Sequence, residues 1–171
     1  LTADERLGDI MHEVADADTL LYTLDPMRLA QPRSLYPCSA PARLRIGPDW
    51  MGYASNWFTE WERTGSRRHH DKLLAGITSI TRLPHGFFQG PMALGYDPAT
   101  GILSTDMPDA QTTNHLMPIM GGFELMGEMM LSIDSPEFFY CWGKHNSTYK
   151  EMAWKIKHNK FRIPRLQAWA A

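Results

Sequence analysis

Cysteine is nearly absent. Cys38 and Cys141 are the only two, and neither sits in a C-x-x-C pair. Two such thiols define neither a disulfide framework nor a metal site, and they leave the redox compartment open. A basic surplus is missing as well, with 17 Lys and Arg against 19 Asp and Glu and a formal net charge of −2. Neutralising phosphates needs a basic excess, so this balance argues against a nucleic-acid partner. The one basic run, Lys150, Lys155, Lys157, Lys160, Arg162 and Arg165, is interrupted by Trp154, Ile156 and Phe161 and reads as a solvated helix face. No stretch reaches the roughly 18–20 uninterrupted apolar residues of a membrane span, so no membrane partner is expected. The N-terminus lacks both an initiator Met and a signal-peptide pattern, which suits a mature form or a piece of a longer polypeptide.

What remains is an ordinary globular composition, 43% hydrophobic and 21% charged, enough for one core. Eleven Met and six Trp suit broad helix-packing surfaces, with a carbohydrate-lined cleft as the other use of so many aromatics.

The apolar spacing of Leu7, Ile10, Met11 and Val14 predicts a helix over Asp4–Ala17, continued by Asp18–Leu24 until Asp25-Pro26 breaks it. Five prolines between residues 25 and 48 predict an irregular connector. A second helix is expected over Asp49–Arg63, with Trp50, Ala54, Trp57, Phe58 and Trp61 on one side. Asp49, Tyr53, Asn56 and Glu60 form a polar stripe beside them. Thr64-Gly65 ends this helix and Ser66 is placed to cap the next, Arg67–Thr81, so the two form a hairpin. The connector 82–113 carries two short strands, Met92–Tyr96 and Ile102–Thr105, around the turn Asp97–Gly101. Further helices are expected over His115–Leu131 and from Pro136 to about Lys157, the latter broken near His145-Asn146.

This organisation repeats. Thr2–Asp9 aligns with Thr64–Asp71, matching Thr with Thr, Arg6 with Arg68 and Asp9 with Asp71, and Ser132–Pro136 occupies the same place once more. Helical hairpins with short turns at one end and long connectors at the other are the layout of an all-α fold, a partial (α/α) toroid of inner and outer helices. The whole chain, residues 1–171, then reads as one segment of such a domain, truncated at both ends.

The stretches RIGPDWMGYASNWFTEWERTGSRRHHDKLLAG, FFQGPMALGYDPATG and NHLMPIMGGFELMGEM resemble the toroidal domain of YetA-like proteins, the exo-rhamnogalacturonan lyases of polysaccharide lyase family 26. The resemblance implies β-sandwich regions elsewhere in a larger polypeptide and an acidic polysaccharide or oligosaccharide substrate. It further implies β-elimination at galacturonate in the pectin backbone, and an extracellular or periplasmic setting with the cytoplasm left open. A lyase of this kind must neutralise the uronate carboxylate, offer a base for the weakly acidic C5 proton, and give the leaving oxygen a proton.

By analogy with toroids that bind substrate at the long-connector end, near inner-helix N-termini, the catalytic candidates are Tyr53, His85, His115 and Arg45. The substrate-binding candidates are Asp49, Trp50, Asn56, Glu60, Gln89, Tyr96, Asn114 and Glu124. Each also has a structural reading. The stripe suits a hydrated lumen or a bridge between hairpins, and at the repeat offset Asn56 corresponds to Glu124 and Glu60 to Glu128 on the next inner helix. Tyr53 suits a core hydrogen bond, His85 and His115 satisfied histidines, Arg45 a loop tether, and most of Trp50, Trp57 and Trp61 the core. Asn146-Ser147-Thr148 is an N-glycosylation acceptor pattern, silent outside a eukaryotic secretory route. No metal is indicated by spacing; calcium is open only because Asp and Glu are available, and no EF-hand spacing appears. Two other functions compete: a toroid glycoside hydrolase using paired carboxylates drawn from Asp49, Glu60, Glu124 and Glu128, and a non-catalytic carbohydrate-binding module. The cluster Arg67-Arg68-His69-His70 opens an outer helix. Cations there oppose the helix dipole and call for an acidic partner.

Overall fold

The computed structural model describes residues 5–26, 38–89, 93–112 and 121–157. Their order is α1 (Glu5–Val14), a 3-10 segment (Ala17–Tyr22), β1 (Ala42–Leu44), a π-type turn (Ile46–Trp50), α2 (Met51–Thr64) and α3 (Arg67–Arg82). A short 3-10 turn (Gly86–Phe88), β2 (Leu94–Tyr96), β3 (Leu103–Ser104), α4 (Gly122–Ser132) and α5 (Pro136–Lys157) follow. The chain is thus mostly helical with one small sheet.

The α2–α3 hairpin forms where the local signals place it. Gly65 adopts a left-handed φ of 72° and its N–H closes on the Trp61 carbonyl at 2.7 Å, ending α2 in the way glycine favours. Ser66 stands at the start of α3, but its hydroxyl meets His69 Nδ1 at 2.8 Å instead of capping the helix. α2 packs against α1, α3 and α4, and α3 against α5, so the hairpin has a neighbour on each side.

The core is made by the apolar face that the spacing marks out. Trp50, Trp57 and Phe58 from α2 and its entry turn meet Leu73, Ile77 and Ile80 of α3, with Leu94 and Tyr96 of β2 and Met126 and Met129 of α4. The Trp57 indole N–H donates to the Ala15 carbonyl at 3.0 Å, so this core ring also pins the end of α1. Trp50 and Trp57 are therefore core residues, and Trp61 packs partly buried beside them.

Four expectations are corrected. The connector 25–48 is not wholly irregular, since β1 lies in it and pairs antiparallel with β2 (Ala42 opposite Tyr96), and β2 pairs with β3 (Gly95 opposite Ser104). The first helix stops at Val14, and 17–22 is wound as a 3-10 segment that turns Leu21 and Asp18 inward. Leu7 and Ile10 of its apolar stripe stay in water, at 47% and 53% exposure. Of the helix expected over His115–Leu131, the part before Gly121 lies outside the described residues; Gly121 has a φ of 80°, which does not belong to a right-handed helix, and α4 begins just after it. α5 passes through His145 without a break.

Candidate functional site

Arg45, Asp49 and Tyr53 come together at the entry to α2. The Asp49 carboxylate accepts from the Arg45 backbone N–H at 2.9 Å, from its Nε at 2.8 Å and from its Nη2 at 2.7 Å. This fork closes the π-type turn, as the i, i+4 spacing allows, and is the tether that Arg45 was read to supply. The hydrogen bond that it donates to Asp49 is the main reason that the Arg45 guanidinium holds its proton even more firmly than usual. One turn on, Tyr53 is half-buried and stacks on Trp57 with ring centroids 6.1 Å apart. Burial pushes its hydroxyl above the ordinary tyrosine range, the charges of Asp49 and Asp18 push it further, and Arg45 opposes them. At neutral pH Tyr53 therefore carries its proton and is a donor.

Behind this group lies a buried ionic network. Lys72 of α3 donates to Asp18 Oδ2 at 2.6 Å, the Tyr96 hydroxyl donates to the same oxygen, and the Lys72 ammonium sits 5.1 Å from the Trp57 ring centre. All three polar residues are essentially inaccessible, and Asp18 Oδ1 has no partner among the described residues. Burial, followed by the charge of Asp18 and its hydrogen bond, pushes Tyr96 far above the ordinary tyrosine range. The unfolded chain loses this proton near pH ~10 while the folded chain keeps it. The folded state then binds more protons, so stability must fall as pH rises through that range. A pH series of denaturant unfolding should show this loss in the wild type and a smaller loss in Tyr96→Phe.

The rest of the polar stripe serves packing. Asn56 donates to the Val14 carbonyl at 3.3 Å, and buried Glu60 accepts from His12 at 2.8 Å and lies 3.7 Å from Arg63, so both knit α1 to α2. Glu124 and Glu128 are exposed on α4. Trp50 and Tyr96 are interior, as is Gln89, whose amide donates to the carbonyls of Met107, Pro108 and Ala110 and accepts from the His85 N–H. A saccharide at the surface does not reach these three side chains or Glu60. His85 lies in the turn after α3, with Nδ1 2.6 Å from Gln111 Nε2. Asn114 and His115 lie outside the described residues.

The basic cluster at the start of α3 finds its acidic partner in Asp16. Arg68 reaches it at 2.9 Å and buried His69 at 3.3 Å, while His70 packs 4.4 Å from Trp61. It is an anchoring surface between α3 and the segment after α1. Asp18 and Lys72 escaped the sequence reading. One signal was present: Lys72 is spaced three and four residues from His69 and Gly76, which share its buried face. Among the described residues no group of three or more His, Cys, Asp or Glu is placed to hold a metal ion, and no helix is long and apolar enough to cross a membrane.

Comparison with known proteins gives two matches. The profile of the family described as the PcRGLX-like protein C-terminal alpha/alpha toroid domain matches residues 1–166. The uncharacterized protein YetA of Bacillus subtilis (strain 168) is 44% identical over 103 residues, which are 60% of this chain and 11% of that protein. The chain thus spans a small part of the length of the curated relative it matches.

Proposed function

The chain belongs to the PcRGLX-like C-terminal alpha/alpha toroid domain family, and on that footing we propose that the polypeptide carrying it is a polysaccharide lyase of family 26. It cleaves the rhamnogalacturonan backbone of pectin by β-elimination at a galacturonate, and the stacked hairpins are part of a closed toroid that holds the acidic chain. The observation within this chain that supports the reading most is the protonated, half-buried Tyr53 beside Arg45 at the entry to α2.

In the elimination a base removes the C5 proton, the C4–C5 double bond forms, and the C4–O bond breaks with its electrons passing to the leaving oxygen. Tyr53 suits the last step, since a phenol that keeps its proton at neutral pH can deliver it to that oxygen. Arg45, its side chain 35% exposed, suits the uronate carboxylate, which would compete with Asp49 for the guanidinium fork.

The hydrolase alternative lacks comparable support. It needs two carboxylates facing each other across the scissile bond. Here Glu60 is buried against His12, Asp49 is held by Arg45, and Glu124 and Glu128 face solvent. The direct assay incubates the full-length protein with rhamnogalacturonan and follows ultraviolet absorbance. The lyase gives a steady rise from the unsaturated uronate, whereas new reducing ends without that rise would overturn the assignment.

A further inference from the structure

We propose that the pocket between the end of α3 and the first turns of α5 is a second saccharide-binding site, shaped for a single sugar ring bearing a carboxylate. It encloses about 460 Å³ and none of Arg45, Asp49 or Tyr53 lines it. Small-molecule sites begin at about 300 Å³, so one ring with its substituents fits.

The α5 wall is built by helical spacing. Glu137, Tyr140 and Lys144 stand at i, i+3 and i+7 and so line one face, and all three border the pocket opposite His85. Tyr140 is 75% exposed at the rim. A ring that size left in water gains most from a flat partner with an apolar face, and the C–H face of a pyranose is one, with its hydroxyls left pointing outward. Those hydroxyls meet Glu137, an acceptor, and His85. Lys144, a point charge on a flexible stem, and the first turn of α5 both favour negative charge on the ligand.

The floor is rigid. His145 is 1% exposed and lies between Trp142 and Phe88, with ring centroids 4.9 and 4.7 Å away and nearly parallel planes. Burial lowers its pKa to about 4, so it remains neutral and adds no charge to the site at neutral pH. Cys141 Sγ packs onto Gly86 so closely that a Cβ there would lie 2.6 Å from it, which seats α5 on the turn carrying His85. The geometry defines a carboxylated sugar ring; its identity as galacturonate rests on the lyase reading.

The test labels the full-length protein with 5-fluorotryptophan and titrates it with galacturonate while following the fluorine line of Trp142, assigned through Trp142→Phe. The expected result is a saturable shift whose midpoint moves at least about tenfold to higher concentration in Tyr140→Ala and in Lys144→Gln, with Tyr140→Phe close to wild type. A Trp142 line indifferent to galacturonate, or midpoints unchanged in both variants, overturns the proposal. Loss of this titration with pectin cleavage intact removes the second site alone. A normal titration in a protein that does not cleave pectin leaves the site standing and removes the lyase reading.

Discussion

Replacing Lys72 with methionine is expected to destabilise the fold by about 3–5 kcal/mol, the range for removing one partner of a buried ion pair. Asp18 is fully buried and Lys72 nearly so, and the ammonium is the only cation on the Asp18 carboxylate among the described contacts. Methionine fills much the same volume, so the loss measures the stranded charge more than a cavity. Lys72→Met combined with Asp18→Asn should recover a large part of it, because the amide carries no charge to strand. Denaturant unfolding of the four proteins of this cycle measures both terms. With whole-domain stabilities of about 5–15 kcal/mol, the single variant should sit close to its unfolding midpoint in mild denaturant. A loss under about 1 kcal/mol would mean that the pair is open to water.

Tyr53→Phe is expected to lower kcat on rhamnogalacturonan by about 10²–10⁴-fold, the usual contribution of a positioned acid or base. The phenyl ring retains the stack on Trp57, so the unfolding midpoint should stay near the wild-type value and KM should change little. That split separates proton donation from a structural role, which would move stability first. Because burial and the neighbouring carboxylates push the Tyr53 hydroxyl upward, the donor persists into alkaline solution. Activity attributable to it should decline only above the ordinary tyrosine range. An unchanged kcat in Tyr53→Phe would remove Tyr53 from the mechanism.

Legibility followed sequence distance. The α2–α3 hairpin was readable because its signals are local: an apolar stripe, a left-handed Gly65 and a polar residue to open the next helix. The turn 97–101 was readable for the same reason, with Asp97 accepting from the Ala99 N–H and the Thr100 hydroxyl. β1 was hidden because three residues show no period, and its partner β2 lies some fifty residues away, beyond the whole α2–α3 hairpin. The glycine pair at 121–122 carried a helix boundary that the apolar spacing overrode. Of the candidate residues, Arg45, Asp49 and Tyr53 follow one another at intervals of four and could be grouped from spacing alone. The Asp18–Lys72–Tyr96 network joins three distant segments, and no single-segment pattern reveals such a meeting. Trp50, Glu60, Gln89 and Tyr96 show the limit of both the analogy with other toroids and the polar stripe: these marked them for substrate, but packing turned them inward.

The most direct test of the central claim is the mass of the smallest product that the full-length protein releases from rhamnogalacturonan. Elimination adds no water, so the account predicts an unsaturated product lighter by one water than the corresponding hydrolytic fragment. A saturated fragment carrying that added water would contradict it.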